Sequence, residues 1–270
     1  MSRCLHCRLG CNESSIGQRA SKSKAEDQQS NGRFGMNVEA TADVTRAREG
    51  GLIAPWWHTG IVLIVLALVT LVAMRTHGTS TAGQERHGGI PLYVSVIFSE
   101  WALFYLACAG TRKRIALREL IGVRWTGRSA FVRGVVITIV FWFIWEGSGQ
   151  AMHRLLGPSD IRNVASMLPR TALEIFVWIL VSISAGFCEE FVYRGYLQRQ
   201  FAAMTRSGAT GLVLQAVVFG VSHGYQGWKQ VVIIAVLGAL FGLLAQWRQS
   251  LVPGMAAHAW ADIYSGWLNP

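Results

Sequence analysis

The sequence predicts an all-α fold: a polytopic transmembrane helical bundle with about seven spans. Of the 270 residues, 51% are hydrophobic and only 15% are charged, whereas a soluble domain carries about 25% charged residues. The charges concentrate in residues 1–50 and in short basic loops, and the apolar runs between the loops are long enough to cross a bilayer. Backbone groups inside a bilayer must pair within their own segment, so we expect the spans to be helices.

Residues 1–50 are polar and rich in Ser, Gln, Gly, Arg and Lys, which predicts a disordered cytoplasmic tail. Three cysteines crowd around His6 at a spacing that suits zinc, but no second group of ligands follows them. These are Cys4, Cys7 and Cys11. A disordered tail accounts for this segment more simply than a zinc site does.

Residues 51–168 are expected to form three spans, at about 56–74, 90–110 and 130–152. The loop at 112–128 carries six Lys or Arg residues. Because basic loops stay in the cytoplasm, we predict that this loop is cytoplasmic and, counting back two spans, that the N-terminal tail is too. The chain is then a multi-pass protein of the cell (inner) membrane.

The net charge of +10 comes largely from Lys and Arg residues in the tail and in loops that flank the spans. We therefore expect membrane lipids with anionic headgroups as partners, and no nucleic acid. Several tryptophans lie near span ends, where indole rings favour the membrane interface. They are Trp56, Trp57, Trp228, Trp247 and Trp267.

Residues 169–270 are expected to form the catalytic core, with four further spans at about 169–204, 208–223, 229–246 and 252–268. An ionisable side chain within a span costs about 2.5–3.5 kcal/mol on insertion scales, so each one needs a reason. This part of the chain has six such side chains. They are Glu189, Glu190, Arg194, His223, His258 and Asp262.

Two adjacent glutamates on the fourth span have different expected roles. Glu190 and Arg194 are four residues apart, so they share a helix face and can form a structural ion pair. Glu189 points about 100° away and has no obvious local partner. An unpaired carboxylate in an apolar site can serve as a general base, so Glu189 is a candidate catalytic residue.

His223 is expected to lie at the same depth as Glu189. The turn between the fourth and fifth spans falls near Arg206, with Glu189 17 residues before it and His223 17 residues after it. In an antiparallel helical hairpin these two side chains are level. They are predicted to form either a water-activating pair or a pair of metal ligands.

His258 and Asp262 are four residues apart on the seventh span and share a face. Asp262 is expected to orient the His258 ring, to complete a metal site or to stabilise an imidazolium. His223, His258 and Glu189 also make a candidate ligand set for a catalytic Zn²⁺ with water in the fourth position.

Three separate spans each carry an ionisable group, which favours one shared site over independent structural roles. Further glutamates fall within other spans: Glu100, Glu146 and Glu174. Of these, Glu146 is a weaker candidate for lining the same cavity.

The intramembrane residues form three ordered motifs on apolar segments. The motifs are Glu189-Glu190-x-x-x-Arg194, Phe219-x-x-x-His223 and His258-x-x-x-Asp262. Together they resemble the signature of the CPBP family, the intramembrane peptidases that include the type II CAAX-prenyl proteases and the bacterial Abi proteins. The resemblance covers about residues 169–268.

The resemblance implies a helical bundle with a water-filled cavity that opens toward the cytoplasm. It also implies peptide-bond hydrolysis, with Glu189 and His223 activating water and with His258 and residue 262 stabilising the oxyanion. Here residue 262 is Asp where Asn is the commoner choice, and a carboxylate cannot donate to an oxyanion unless it is protonated. This departure favours a metal-binding or His-orienting role for Asp262. A prenylated substrate is not carried over.

The leading hypothesis is an intramembrane endopeptidase that hydrolyses a peptide bond of a membrane-associated protein or peptide. The mechanism is glutamate-type or metal-assisted, and Glu190, Arg194 and Phe219 support the site structurally. The first alternative is a proton-coupled transporter, because intramembrane Glu, His and Asp also serve as proton relays, although no inverted repeat is visible. The second is a non-catalytic membrane immunity or scaffold protein. The oligomeric state stays open.

Overall fold

The structure of the protein is a computed structural model that describes residues 51–78, 89–122, 127–157 and 165–268. Within these ranges the regular structure is helical and contains no strand. The predicted tail and its cysteine cluster lie outside the described residues. The prediction of an all-α transmembrane bundle is confirmed.

The helices follow the predicted spans closely. In chain order they are α1 (Trp56–Gly78), α2 (Gly89–Thr111), α3 (Leu117–Ile121), α4 (Arg128–Leu156), α5 (Ala172–Glu189), a π-helical segment (Glu190–Leu197), α6 (Gln198–Thr205), α7 (Gly208–Ser222), a 3₁₀ turn (Gly224–Gln226), α8 (Trp228–Arg248) and α9 (Val252–Leu268).

Five helices among the described residues are long and apolar enough to cross a membrane. They are α1, α2, α4, α8 and a continuous 34-residue helix made of α5, the π-helical segment and α6. The other two predicted spans correspond to α7, with 15 residues, and α9, with 17 residues. At 1.5 Å per residue, about 20 residues are needed to cross the hydrocarbon core, so α7 and α9 are short for full crossings.

Polar caps fix where the helices of the C-terminal half begin and end. At the start of α5 the Thr171 side chain accepts from the backbone of Glu174, and the Glu174 carboxylate accepts from the Thr171 N–H in return. Arg206 closes α6 in the left-handed region with φ of 55°, and the Ser207 side chain caps α7. The predicted hairpin turn near Arg206 is therefore confirmed.

The outer faces of the bundle are apolar, as expected for contact with lipid. Many Val, Ile, Leu and Phe side chains of α1, α4 and α7 are exposed. The five tryptophans predicted at the interface are between 54% and 70% exposed at helix ends. Indole rings at both ends of the spans match the aromatic belts of membrane proteins.

The π-helical segment is the centre of the core, and all eight of its residues are buried. Polar contacts attach the start of α1, together with Ile53 and Ala54, to the C-terminal part of the π-helical segment and to the first turn of α6. Gln200 accepts from the backbone N–H groups of Ile53 and Ala54, and the Tyr196 hydroxyl hydrogen-bonds to His58 Nδ1 at 2.8 Å. The first span therefore packs against the helix that carries the glutamates.

The close contact between α5 and α9 depends on Gly186. A Cβ atom at this position would lie 2.7 Å from the Met255 carbonyl oxygen and 2.7 Å from the Ala259 nitrogen. Because the glycine has no side chain, the two helix backbones approach directly. This approach brings α9, with His258, against the end of α5, where Glu189 lies.

Candidate active site

The two adjacent glutamates mark the point where the helix widens. Glu189 is the last residue of α5, and Glu190 begins the π-helical segment, in which backbone hydrogen bonds run from residue i to i+5. Such π-helical turns are rare and occur often at functional sites. The hydrophobic pattern of this stretch is that of an ordinary helix, so the sequence gives no sign of the wider turn.

Glu190 and Arg194 form the predicted ion pair. Arg194 Nη1 lies 2.9 Å from Glu190 Oε1, and both residues are only 1% exposed. The guanidinium also lies 4.3 Å from the centre of the Phe219 ring and donates to the Gly238 carbonyl oxygen at 3.1 Å. The prediction that one glutamate is paired structurally is confirmed for Glu190.

Glu190 has a second partner that the sequence did not reveal. Its Oε1 atom accepts a hydrogen bond from His258 Nδ1 at 3.1 Å. Gly254 makes room for this carboxylate, because a Cβ atom there would lie 3.0 Å from Glu190 Oε2. Glu190 thus orients the His258 ring, a role that the spacing had suggested for Asp262, and leaves Nε2 as the reactive nitrogen.

The free Nε2 atom of His258 faces two other carboxylates. It lies 3.8 Å from Glu189 Oε2 and 3.7 Å from Asp262 Oδ2. The Glu189 side chain is 22% exposed and the Asp262 side chain 37%, compared with 1% for Glu190. Glu189, His258 and Asp262 therefore meet in one place, and the two acids reach solvent while the structural glutamate does not.

His223 lies at the C-terminal end of α7, next to this cluster. Its Nδ1 hydrogen-bonds to the Phe219 carbonyl oxygen at 2.8 Å, which leaves its Nε2 as an acceptor. In the described part of the chain, the ionic partner of Glu189 is His258, and no ion pair joins Glu189 directly to His223. The Glu189–His223 pair through water stays a prediction.

Phe219 lies between the two histidines. Its ring centre is 4.8 Å from that of His223 and 6.1 Å from that of His258. The ring of Tyr193 packs against Phe219 at 4.8 Å, and the Tyr193 hydroxyl donates to Ser222. The contact between Tyr193 and Phe219 packs the first motif against the second. The Phe219 ring separates the imidazoles of His223 and His258.

Tyr225 was not predicted as part of the site. It lies in the turn between α7 and α8, and its oxygen accepts from Gln226 Nε2 at 3.0 Å. Burial, reinforced by the carboxylates of Glu189 and Asp262, raises the pKa of Tyr225 to about 12. The phenol is therefore a neutral hydrogen-bond donor at the edge of an acidic cluster.

The side chains as placed do not fit a zinc ion. Among the residues that the structure describes, no group of three or more His, Cys, Asp or Glu side chains could hold a metal ion. The Nδ1 atoms of His258 and His223 are bonded to Glu190 and to a backbone carbonyl, which leaves both Nε2 atoms free. The chemistry below is therefore derived from the protein's own groups.

Comparison with known proteins agrees with the three motifs. The family model described as type II CAAX prenyl endopeptidase Rce1-like matches residues 171–264, which contain all three motifs. No curated protein and no solved structure matches the chain. The predicted resemblance is confirmed over residues 171–264, which are similar to the type II CAAX prenyl endopeptidases of the CPBP family.

Proposed function

We propose that the protein is an intramembrane endopeptidase that hydrolyses a peptide bond of a membrane-associated protein or peptide. One observation carries the proposal: the Glu190–Arg194 pair holds His258 so that its Nε2 faces the partly exposed carboxylate of Glu189. A base and an imidazole that share a solvent-reaching pocket are the groups that peptide hydrolysis needs.

In the proposed reaction, Glu189 takes a proton from a water molecule whose oxygen attacks the carbonyl carbon of the peptide. The carbonyl oxygen becomes an oxyanion, which the Nε2–H of a protonated His258 stabilises. The C–N bond then breaks, and the proton held by Glu189 passes to the departing nitrogen. His223 orients the water through its Nε2, since its Nδ1 is held by a backbone carbonyl.

Asp262 has a supporting role in this scheme. As a carboxylate it cannot donate to the oxyanion. Its Oδ2 atom lies 3.7 Å from His258 Nε2, close enough to stabilise a positive charge on that ring. The chain would then use a charged imidazole where an Asn at position 262 would supply an amide donor.

The test is hydrolysis of a fluorogenic farnesylated peptide with a CAAX C-terminus by the purified protein in liposomes, with the unlipidated peptide run in parallel. We expect Glu189→Gln to reduce kcat by at least about 100-fold, the range of a lost general base. The matched control is Glu146→Gln on α4, whose carboxylate accepts from Gln150 in an exposed contact and takes no part in the ion pairs of the described cluster.

This experiment tests whether Glu189 is the base and whether the reaction needs a metal ion. Full activity of a folded Glu189→Gln variant would contradict the proposed function. A strong chelator is expected to leave the rate unchanged, because the described residues do not form a metal-binding group. The ratio of rates on the two peptides then measures how far the lipid contributes to recognition.

A further inference from the structure

Glu100 is an acid within the membrane region that neither the three motifs nor the matched segment includes. It lies on α2 and is 7% exposed. Its Oε2 atom is enclosed and has no hydrogen-bond partner in the described part of the chain. Buried polar atoms in folded proteins almost always have a partner, so an enclosed carboxyl oxygen without one calls for an explanation.

The helix register directs Glu100 toward α5. The buried residues of α2 are spaced by three, four or seven positions and so form one face: Tyr93, Glu100, Phe104, Ala107 and Thr111. Tyr93 packs against Trp178, and Phe104 packs against Phe187 and Phe191. The two helices run in the same direction, since the later residue of α2 contacts the later residues on the α5 side. Glu100 lies between Tyr93 and Phe104 along α2 and therefore on the face that packs against α5.

A hydrogen bond on the adjoining face fixes the rotation of α2. Trp101 Nε1 donates to Ser184 Oγ at 2.9 Å, and the Trp101 ring stacks on Phe187 at 5.7 Å between ring centres. Residue 100 is therefore held close to the last turn of α5, the turn that ends at Glu189.

The charges near Glu100 are those of the candidate active site. The carboxyl groups of Glu189 and Asp262 both act on Glu100 electrostatically, and Glu100 acts in turn on Tyr225. No basic side chain of the described residues forms an ion pair with Glu100. Acids from α2, α5 and α9 are thus near enough to interact electrostatically.

Glu189, like Glu100, has a buried carboxyl oxygen without a hydrogen-bond partner. Its Oε2 atom is enclosed and forms no hydrogen bond among the described residues. A buried water molecule typically makes about three hydrogen bonds to polar groups of this kind. Two carboxyl oxygens on neighbouring helices, both lacking partners, are suited to hold one water molecule between them.

We propose that Glu100 is a further active-site residue, which binds the nucleophilic water together with Glu189. This inference rests on the proposed function. The water donates one hydrogen to Glu189, the base, and shares the other in a bifurcated hydrogen bond between Glu100 Oε2 and His223 Nε2. Its remaining lone pair then points toward the peptide carbonyl. Glu100 itself needs only to accept a hydrogen bond and takes no proton.

The proposal predicts different effects for three substitutions at this position. Glu100→Gln keeps an oxygen that accepts, so its kcat on the farnesylated CAAX peptide should stay within about 5-fold of wild type. Glu100→Ala and Glu100→Asp remove or withdraw that oxygen, and their kcat should fall about 10- to 100-fold, as for a buried donor left without its partner. KM should change little, because the water is not part of substrate binding.

Several results would overturn the inference. These are wild-type kcat in a folded Glu100→Ala variant, a loss confined to KM, or equal losses in the Gln and Ala variants. Glu146→Gln is the control for removing an intramembrane carboxylate. Wild-type activity of Glu189→Gln would instead overturn the proposed function, so the two failures are distinguishable.

A second measurement needs no substrate. Thermal unfolding is compared for the wild type, Glu100→Ala, Glu189→Ala and the double variant, each of which removes an oxygen that accepts from the water. If the two carboxyls share one water, the Tm shift caused by Glu100→Ala should differ between the wild-type and Glu189→Ala backgrounds. Equal Tm shifts in both backgrounds would show that the sites are independent and would overturn the inference.

Discussion

Glu190 binds two basic partners with one oxygen atom. Oε1 lies 2.9 Å from Arg194 Nη1 and 3.1 Å from His258 Nδ1. Removal of one member of a buried ion pair is costly because it leaves the other charge unpaired. The same residue therefore stabilises the helix core and orients the imidazole of the candidate site.

We predict that Glu190→Ala and Arg194→Ala destabilise the protein by about 3–5 kcal/mol, because each leaves an unpaired charge in the bilayer region. The measurements are membrane yield and Tm after purification. Glu190→Gln should be milder, since its amide oxygen can still accept from His258. Wild-type yield and Tm for Arg194→Ala would contradict the prediction.

Asp262 provides a separate prediction at residue scale. Asp262→Asn introduces an amide that can donate to the oxyanion, so we expect it to keep kcat within about 10-fold of wild type. Asp262→Ala removes the charge beside His258 without supplying a donor and should lower kcat about 10- to 1000-fold. Hydrolysis of the farnesylated peptide measures both. If the Asn variant is as inactive as the Ala variant, the negative charge itself is required.

Contacts within one helix could be predicted from the spacing of residues along the sequence. Contacts between helices could not. Glu190 and Arg194 are neighbours on any helical turn, so their pairing followed from the sequence. The bond from Glu190 to His258 depends on how α9 sits against α5. That placement comes from backbone contact at a glycine, which periodicity alone does not reveal.

At the scale of elements, the packing of α5 against α9 places the histidine beside the glutamates. Gly186→Ala would put a methyl group 2.7 Å from backbone atoms of Met255 and Ala259, so the helices must separate. We predict a lower Tm, by an overpacking cost of about 1–3 kcal/mol, and a lower kcat.

The matched control is Gly147→Ala on α4, where an added Cβ meets nothing within 4 Å. An alanine in an open helical position is expected to be neutral or slightly stabilising. Equal effects of the two substitutions on Tm and kcat would show that contact at Gly186 does not position His258.

The helix α8 shows a further use of small residues. Gly238 and Gly242 are four residues apart, and their carbonyl oxygens accept from Arg194 and Gln198 at 3.1 Å. Gln215 of α7 also donates to the Gly238 carbonyl. Polar side chains of the π-helical segment, α6 and α7 thus bond to the α8 backbone, which a hydropathy pattern cannot indicate.

At the scale of the whole molecule, the short helices are those that carry the histidines. His223 follows α7, with 15 residues, and His258 belongs to α9, with 17 residues. A 15-residue helix spans about 22 Å, less than the hydrocarbon thickness of about 30 Å. A helix of this length that starts at one membrane surface ends inside the hydrocarbon layer, so His223 at its end is expected to lie below the opposite surface.

The order and bounds of the helices could be predicted because long apolar runs and their caps are local features. The predicted first, second and third spans match α1, α2 and α4 within a few residues at each end. The packing of these spans against the catalytic core, including the position of Glu100, depends on tertiary contacts. For this reason Glu100 could be recognised from the sequence as an acid within a span, but its position relative to Glu189 could not be predicted.

The basic loops predict the orientation of the whole molecule, and this orientation can be tested. Arg118 belongs to α3 in the basic loop between α2 and α4, and Arg170 immediately precedes the α5 cap; both side chains are exposed. With the N-terminus in the cytoplasm, position 118 faces inward and position 170 faces outward. In a variant lacking the five native cysteines, Arg170→Cys should react with a membrane-impermeant maleimide in intact cells, and Arg118→Cys only after the cells are permeabilised. The reverse labelling pattern would invert the topology and move the opening of the site to the other side of the membrane.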